Sequence, residues 1–192
     1  YIEGFYGRLL SWESRKLIIK SLSKNKMNTY FYAPKEDIYH RFLWRKKYSK
    51  EWRLNFKKFI QFGKISNIKV IAGIAPGLDF NFNELNGIFN NNKKTDFQFL
   101  LKKAKQLLED GANSIALMLD DIPNDFKKKF GNHFSEGSYH AMLANRLAKK
   151  LGKNIFLVPR IYSDELIKED PFYLRDLSKT LNSEIRIFYC GK

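Results

Sequence analysis

Short apolar runs alternate with longer amphipathic stretches along the chain. Ile2 to Tyr6 predicts a short strand, ended by Gly7. Ser11 stands where a helix N-cap belongs, with Leu17, Ile18 and Leu22 on one face of the helix behind it. Asn28 to Tyr32 is β-branched and aromatic and predicts a second strand, stopped by Ala33-Pro34. A loop rich in charge and aromatics, 35–48, leads to a helix over 51–62 with Leu54, Lys58 and Phe62 spaced by fours. Residues 69–74 (KVIAGI) predict a third strand, and the Asn-rich stretch 81–92 a loop. A helix over 96–110 carries Phe97, Leu100, Leu101, Ala104, Leu107 and Leu108 as its stripe and stops at Gly111. Ser114 to Leu119 is a fourth, fully apolar strand ending in Asp120-Asp121. The remaining expectations are a helix over 137–151 stopped by Gly152, a strand over 155–158, a helix over 171–181 with Pro171 in its first turn, and a strand over 184–189.

Strands apolar on both faces, alternating with amphipathic helices, predict an α/β fold with a parallel sheet covered by helices. No Gly-rich dinucleotide fingerprint follows the first strand, so a (β/α)8 TIM-barrel type is favoured over a doubly wound sheet, and no cofactor is expected. A complete barrel of this kind needs about 250 residues. This chain has 192. It therefore reads as a single catalytic-barrel domain over 1–192, C-terminally incomplete, with about six of the eight βα units. It lacks an initiator Met and is expected to begin inside a longer protein.

Composition narrows the class. A hydrophobic share of 44% supplies a core and excludes a disordered chain. The one cysteine, Cys190, excludes a disulfide framework and a Cys-rich zinc site, and suits a reducing, cytoplasmic interior. No apolar run reaches the roughly 18–20 residues of a membrane span. The formal net charge of +15 raises the question of a nucleic-acid or polyanion partner. The basic clusters are scattered, however, and no RNA-binding sheet motif or Cys/His finger accompanies them. The charge reads as a solvated basic surface, with a polyanion-binding domain as the alternative.

In a parallel α/β fold the chemistry sits at the C-terminal ends of the strands. Five segments fall there: Glu3 to Arg8, Ala33 to Asp37, Pro76 to Asp79, Asp120 to Pro123, and Pro159 to Tyr162. Asp120-Asp121 is the central feature. Adjacent carboxylates at a strand mouth repel one another, so one is expected to hold its proton more tightly and serve as an acid while the other stays charged. That division of labour is what glycoside hydrolysis requires. A lone Asp-Asp pair also fits a surface turn or a helix cap.

The strings EGFYGR (3–8), W-E-x-R (12–15), NTYFYAPK (28–35), Y-H-R-x-x-W-R (39–45), APGLD (75–79) and DDI (120–122) stand in this order. Together they resemble glycoside hydrolase family 84, the O-GlcNAcases and bacterial β-N-acetylglucosaminidases of "hyaluronidase" type. The resemblance implies a (β/α)8 catalytic barrel and a retaining, substrate-assisted mechanism through an oxazoline. It implies a substrate that is a glycoprotein or glycan bearing N-acetylglucosamine. By the same resemblance, Asp120 holds and polarises the acetamido group and Asp121 is the general acid and base. Lys35 contacts a sugar hydroxyl, the backbone of Gly4 lines the sugar pocket, and Tyr162 lies near the acetamido group. On residue type alone, Lys35 is equally an exposed lysine, Gly4 a turn residue, Tyr162 a rim aromatic and Asp79 a loop brace.

Two stretches depart from the family pattern. Pro159-Arg160-Ile161-Tyr162 stands where Pro-Thr-x-Tyr is usual, and an arginine there is expected to change size and charge near the acetamido end. Tyr189-Cys190-Gly191-Lys192 replaces Trp-Thr-Gly-Pro. The family's further sugar-binding Asn and Asp residues come from beyond the sixth strand. A sugar-binding or scaffold remnant without turnover is therefore the alternative to an active hydrolase. A metal hydrolase would need His133 or His140 beside Asp120, and their spacing matches no ligand motif.

Overall fold

The computed structural model describes residues 1–86, 95–131 and 135–191. Six strands lie in one sheet in chain order: β1 (Ile2–Glu3), β2 (Thr29–Tyr32), β3 (Lys69–Ile74), β4 (Ser114–Met118), β5 (Phe156–Val158) and β6 (Arg186–Ile187). Strand order that follows the chain without reversal distinguishes barrel-type βα progression from a doubly wound sheet. The helices are α1 (Trp12–Lys24), α2 (Lys50–Ile65), α3 (Asp96–Glu109), α4 (Phe126–Phe130), α5 (Glu136–Leu151) and α6 (Tyr173–Thr180). The chain divides into two compact units, one of residues 1–74 and 102–116, the other of residues 75–101 and 117–192.

In the first unit, β1 and β2 pair in parallel with Glu3 opposite Tyr32, which sets Gly4 level with Ala33 at the strand ends. Ser11 caps α1 as expected, its Oγ accepting the Ser14 N–H at 3.0 Å. The buried face of α1 is Arg15, Ile19 and Leu22, and Leu17 is 64% exposed. The helix is rotated from the expected face because Arg15 turns inward to Glu3. In α2 the buried face is Phe56, Phe59, Ile60 and Gly63, while Leu54 points to solvent. Those rings meet Trp12, Tyr30 and Tyr32 in an aromatic core; Phe59 stands edge-on to Tyr30 at 5.1 Å between centroids.

In the second unit, the Leu119 N–H donates to the Val158 carbonyl at 2.8 Å, holding the mouths of β4 and β5 side by side. Helix α5 starts at the Ser135 cap and stops at Gly152, whose φ of 64° supplies the left-handed turn. Gly137 lies where α5 meets α6, and a side chain there would overlap the Tyr173 carbonyl oxygen. Small residues at such a crossing let two helix backbones approach closely.

Several elements differ from expectation. β1 and β6 are two residues each, shorter than the apolar runs around them. The helix expected over 171–181 begins at Tyr173, leaving Pro171 outside it. Residues 82–86 and 164–169 form 3-10 turns, and α4 is one short helix in a stretch to which the sequence pattern assigned no element. The rest of the Asn-rich loop, 87–92, lies outside the described residues.

Candidate active site

The first unit contributes the ends of β1 and β2. Glu3 is almost wholly buried and receives Arg15 through Nε at 3.0 and 3.2 Å and Nη2 at 2.7 Å, with the Tyr30 hydroxyl donating at 2.6 Å. A carboxylate so completely committed is structural: it fixes the turn that presents Gly4. The Gly4 backbone is half-exposed just beyond it. Burial and the Glu3 carboxylate together push the Tyr30 phenol far above its ordinary range, so it remains a donor.

Lys35 is 2% exposed, which removes the reading as a surface lysine. It sits in the loop that Asp37 closes. One Asp37 oxygen accepts the Tyr32 hydroxyl at 2.7 Å and the Tyr48 hydroxyl at 3.0 Å. The other accepts the backbone N–H of Tyr39 at 2.9 Å and of His40 at 3.3 Å. His40 Nδ1 lies 2.9 Å from the Gly73 carbonyl at the end of β3. Burial pulls the His40 imidazole down to about 4, so it is neutral at pH 7.

The second unit contributes the ends of β4 and β5. Asp120 follows the apolar strand and is 9% exposed. Asp121 is exposed, and its φ of 53° puts it in the left-handed region. Left-handed backbone at a non-glycine residue is uncommon and concentrates at functional turns. Here it breaks the extended chain between the two carboxylates and gives them different surroundings. Tyr162 lies past the end of β5, half-buried, and its carbonyl accepts the Cys190 N–H at 2.7 Å.

Arg160 does not act as the sequence suggested. Its guanidinium is buried against Glu136 of α5, with Nε at 2.8 and 2.9 Å from the two carboxylate oxygens, and reaches Glu169 at 2.7 Å through Nη1. Its charge is neutralised inside the packing rather than offered to a ligand. The Arg160 N–H donates to the Tyr173 hydroxyl at 3.0 Å, and that hydroxyl lies 2.8 Å from His140 Nδ1. His140 is fully buried, and desolvation followed by the Arg160 charge brings its pKa down to about 3.

No group of three or more potential metal ligands occurs among the described residues, and His133 lies outside them. No described helix is long and apolar enough to cross a membrane. A cavity of about 470 Å³ in the second unit is lined by residues of the loops after β3 and β4, among them Asp79, Phe82, Ile122 and Phe126. Asp120, Asp121 and Tyr162 are not among its lining residues.

The sequence pattern singled out Gly4, Lys35, Asp120, Asp121 and Tyr162 and did not foresee the partners that hold their neighbours: Arg15 on Glu3, Tyr32 and Tyr48 on Asp37, and Glu136 on Arg160.

The family described as beta-N-acetylglucosaminidase (NAGidase) matches residues 1–192. The chain is 31% identical over 197 aligned residues to the Protein O-GlcNAcase of Rattus norvegicus and, equally, to that of Mus musculus. It covers 20% of each of those proteins, while 99% of this chain is matched. Among solved structures, it resembles an O-GlcNAc hydrolase of Thermobaculum terrenum with a TM-score of 0.83 at 28% identity, covering 99% of this chain and 40% of that one. It resembles CpGH84B with a TM-score of 0.81 at 30% identity, covering 97% of this chain and 32% of that one. The six-stranded parallel fold is shared with these solved structures. The chain belongs to the β-N-acetylglucosaminidase family, glycoside hydrolase family 84.

Proposed function

We propose that this chain carries the acid/base and acetamido-holding residues of a retaining β-N-acetylglucosaminidase that removes terminal N-acetylglucosamine from a glycoprotein or glycan. The observation that carries the proposal is the divided environment of the carboxylate pair, Asp120 buried and Asp121 exposed on left-handed backbone. Family membership and the burial of Lys35 support it.

In the first step Asp121 donates its proton to the glycosidic oxygen while the substrate's acetamido oxygen attacks C1. The C1–O bond to the aglycone breaks as the oxazoline ring closes. Asp120 accepts the acetamido N–H and offsets the positive charge that develops there. The alcohol leaves with the proton from Asp121. In the second step Asp121, now a carboxylate, takes a proton from water as the water oxygen attacks C1 and the ring opens. Two inversions at C1 give net retention. The same pair thus supplies acid, base and electrostatic stabilisation without a protein nucleophile. Lys35 binds a sugar hydroxyl, the Gly4 backbone lines the sugar, and Tyr162 lies against the acetamido group.

The test is hydrolysis of an aryl N-acetyl-β-glucosaminide by the parent chain, Asp120→Ala and Asp121→Ala, with binding of an oxazoline-like inhibitor measured in parallel. Turnover by the parent, with losses of at least about 10²-fold in each variant, supports the assignment. Binding without turnover identifies a sugar-binding remnant, and absence of both contradicts the sugar reading.

A further inference from the structure

The Asp37 carboxylate does more than an ordinary loop contact, because it ties together four points of the segment that contains Lys35. It takes the Tyr32 hydroxyl from the end of β2, two backbone N–H groups from the middle of the loop, and the Tyr48 hydroxyl from its far end. All four bonds go to one charged group, and hydrogen bonds to an ionised acceptor are the strong kind. Lys35 lies two residues before this pin and is buried.

The far end of the loop is itself held. The Tyr48 N–H donates to Gln106 Oε1 of α3 at 3.0 Å, and the Tyr48 ring stacks on Trp52 at 3.5 Å between centroids. The Lys103 ammonium of α3 stands 3.9 Å from the Tyr48 ring centroid and 5.6 Å from that of Tyr39. Lys103 packed against the Tyr48 ring helps to hold that ring in place. His40, donating its N–H to the same carboxylate, is joined to β3 through Gly73. Loop, helix and strand therefore converge on one carboxylate.

We propose that Asp37 is a positioning residue that sets Lys35 for its sugar hydroxyl; this rests on the hydrolase reading and goes beyond it. A Lys ammonium on a four-carbon stem has several rotamers, and fixing the backbone on both sides of it leaves fewer for substrate binding to select. Asp37 acts entirely through Lys35, so its effect must vanish when the ammonium is absent. The interaction with a hydroxyl is present in both bound substrate and transition state, so its loss raises KM rather than lowering kcat.

The experiment is a double-mutant cycle of Asp37→Asn and Lys35→Ala on an aryl N-acetyl-β-glucosaminide, with amide exchange at Tyr39 and His40 followed in each protein. Asp37→Asn is expected to raise KM about tenfold at nearly constant kcat, and to have little further effect in the Lys35→Ala background. Exchange at Tyr39 and His40 should quicken in both Asp37→Asn proteins. Effects on KM that multiply in the double variant, or a folded Asp37→Asn with unchanged KM, overturn the proposal. If Asp37→Asn fails to fold, Tyr48→Phe removes one of the four bonds and takes its place in the cycle. If the parent shows no turnover, the hydrolase reading fails on its own account. Exchange then decides whether Asp37 holds the loop, and unchanged exchange overturns that too.

Discussion

Arg160 and Glu136 form a bidentate pair in the interior of the second unit, 2.8 and 2.9 Å from Nε and 2.8 Å from Nη2. Both side chains are nearly inaccessible, 3% and 2%. Burial pushes the Glu136 carboxyl up, and the guanidinium opposes that push. Removing one member of such a pair leaves a buried charge without its partner. Arg160→Met is expected to cost about 3–5 kcal/mol in chemical denaturation, whereas the double change Arg160→Met, Glu136→Met should recover most of it. A single variant as stable as the parent would show that the pair does not hold the segment leading to Tyr162.

Two buried imidazoles make the protein acid-sensitive. His40 is drawn down to about 4 and His140 to about 3, from an ordinary value near 6.5. Between those values the unfolded chain takes up protons that the folded chain refuses. The contribution of both histidines is present above about pH 6.5 and is lost progressively as the pH falls toward 4 and 3. Urea denaturation at pH 7 and pH 5 should show lower stability at pH 5, with a shallower dependence in His140→Gln.

Lys103 produces a slope in the opposite range. Its ammonium is 2% exposed, and desolvation brings it down to about 7, with Asp37 partly offsetting the shift. Above pH 7 the folded protein releases a proton that the unfolded chain keeps until about 10.5. Stability from this group therefore rises with pH across that window. Relative to Lys103→Met, the parent should gain stability between pH 7 and pH 9, measured by denaturant midpoints. Parallel curves would show that the lysine is not desolvated.

Gly137 tests the α5–α6 crossing. Substitution by Ala would drive a methyl into the Tyr173 carbonyl, which is backbone and cannot swing aside. The cost of such overpacking is about 1–3 kcal/mol. Thermal unfolding should record it as a clear fall in Tm, despite the higher helix propensity of Ala.

The order of elements was legible because short continuous apolar runs alternate with period-3.6 amphipathic stretches from Thr29 to Leu151. Faces were legible only where apolar residues alone decide them. In α3 the stripe Phe97, Leu100, Ala104 and Leu107 is buried as expected, but Lys103 and Gln106 are buried beside it. Arg15 rotates α1 for the same reason: a charged residue goes inside when a partner far along the chain awaits it, and no local pattern reveals that partner. The strand-end carboxylates were legible because Asp120 directly follows an apolar strand. The bend at Asp121 was not, since left-handed backbone at an aspartate carries no signature like that of glycine. Arg160 misled because its place in the chain suggested the site, while its partner Glu136 starts the preceding helix.

The leaving-group dependence of losing Asp121 tests its role as acid and base most directly. Rates of the parent and Asp121→Ala are compared on two aryl N-acetyl-β-glucosaminides, one with a strongly acidic phenol and one with a weakly acidic phenol. A leaving group that departs without a proton needs no general acid for the first step. In Asp121→Ala, kcat/KM is expected to fall far more for the weakly acidic phenol, by at least about 10²-fold, than for the strongly acidic one. Equal losses on both substrates, or full activity of Asp121→Ala on the poor leaving group, would contradict that role.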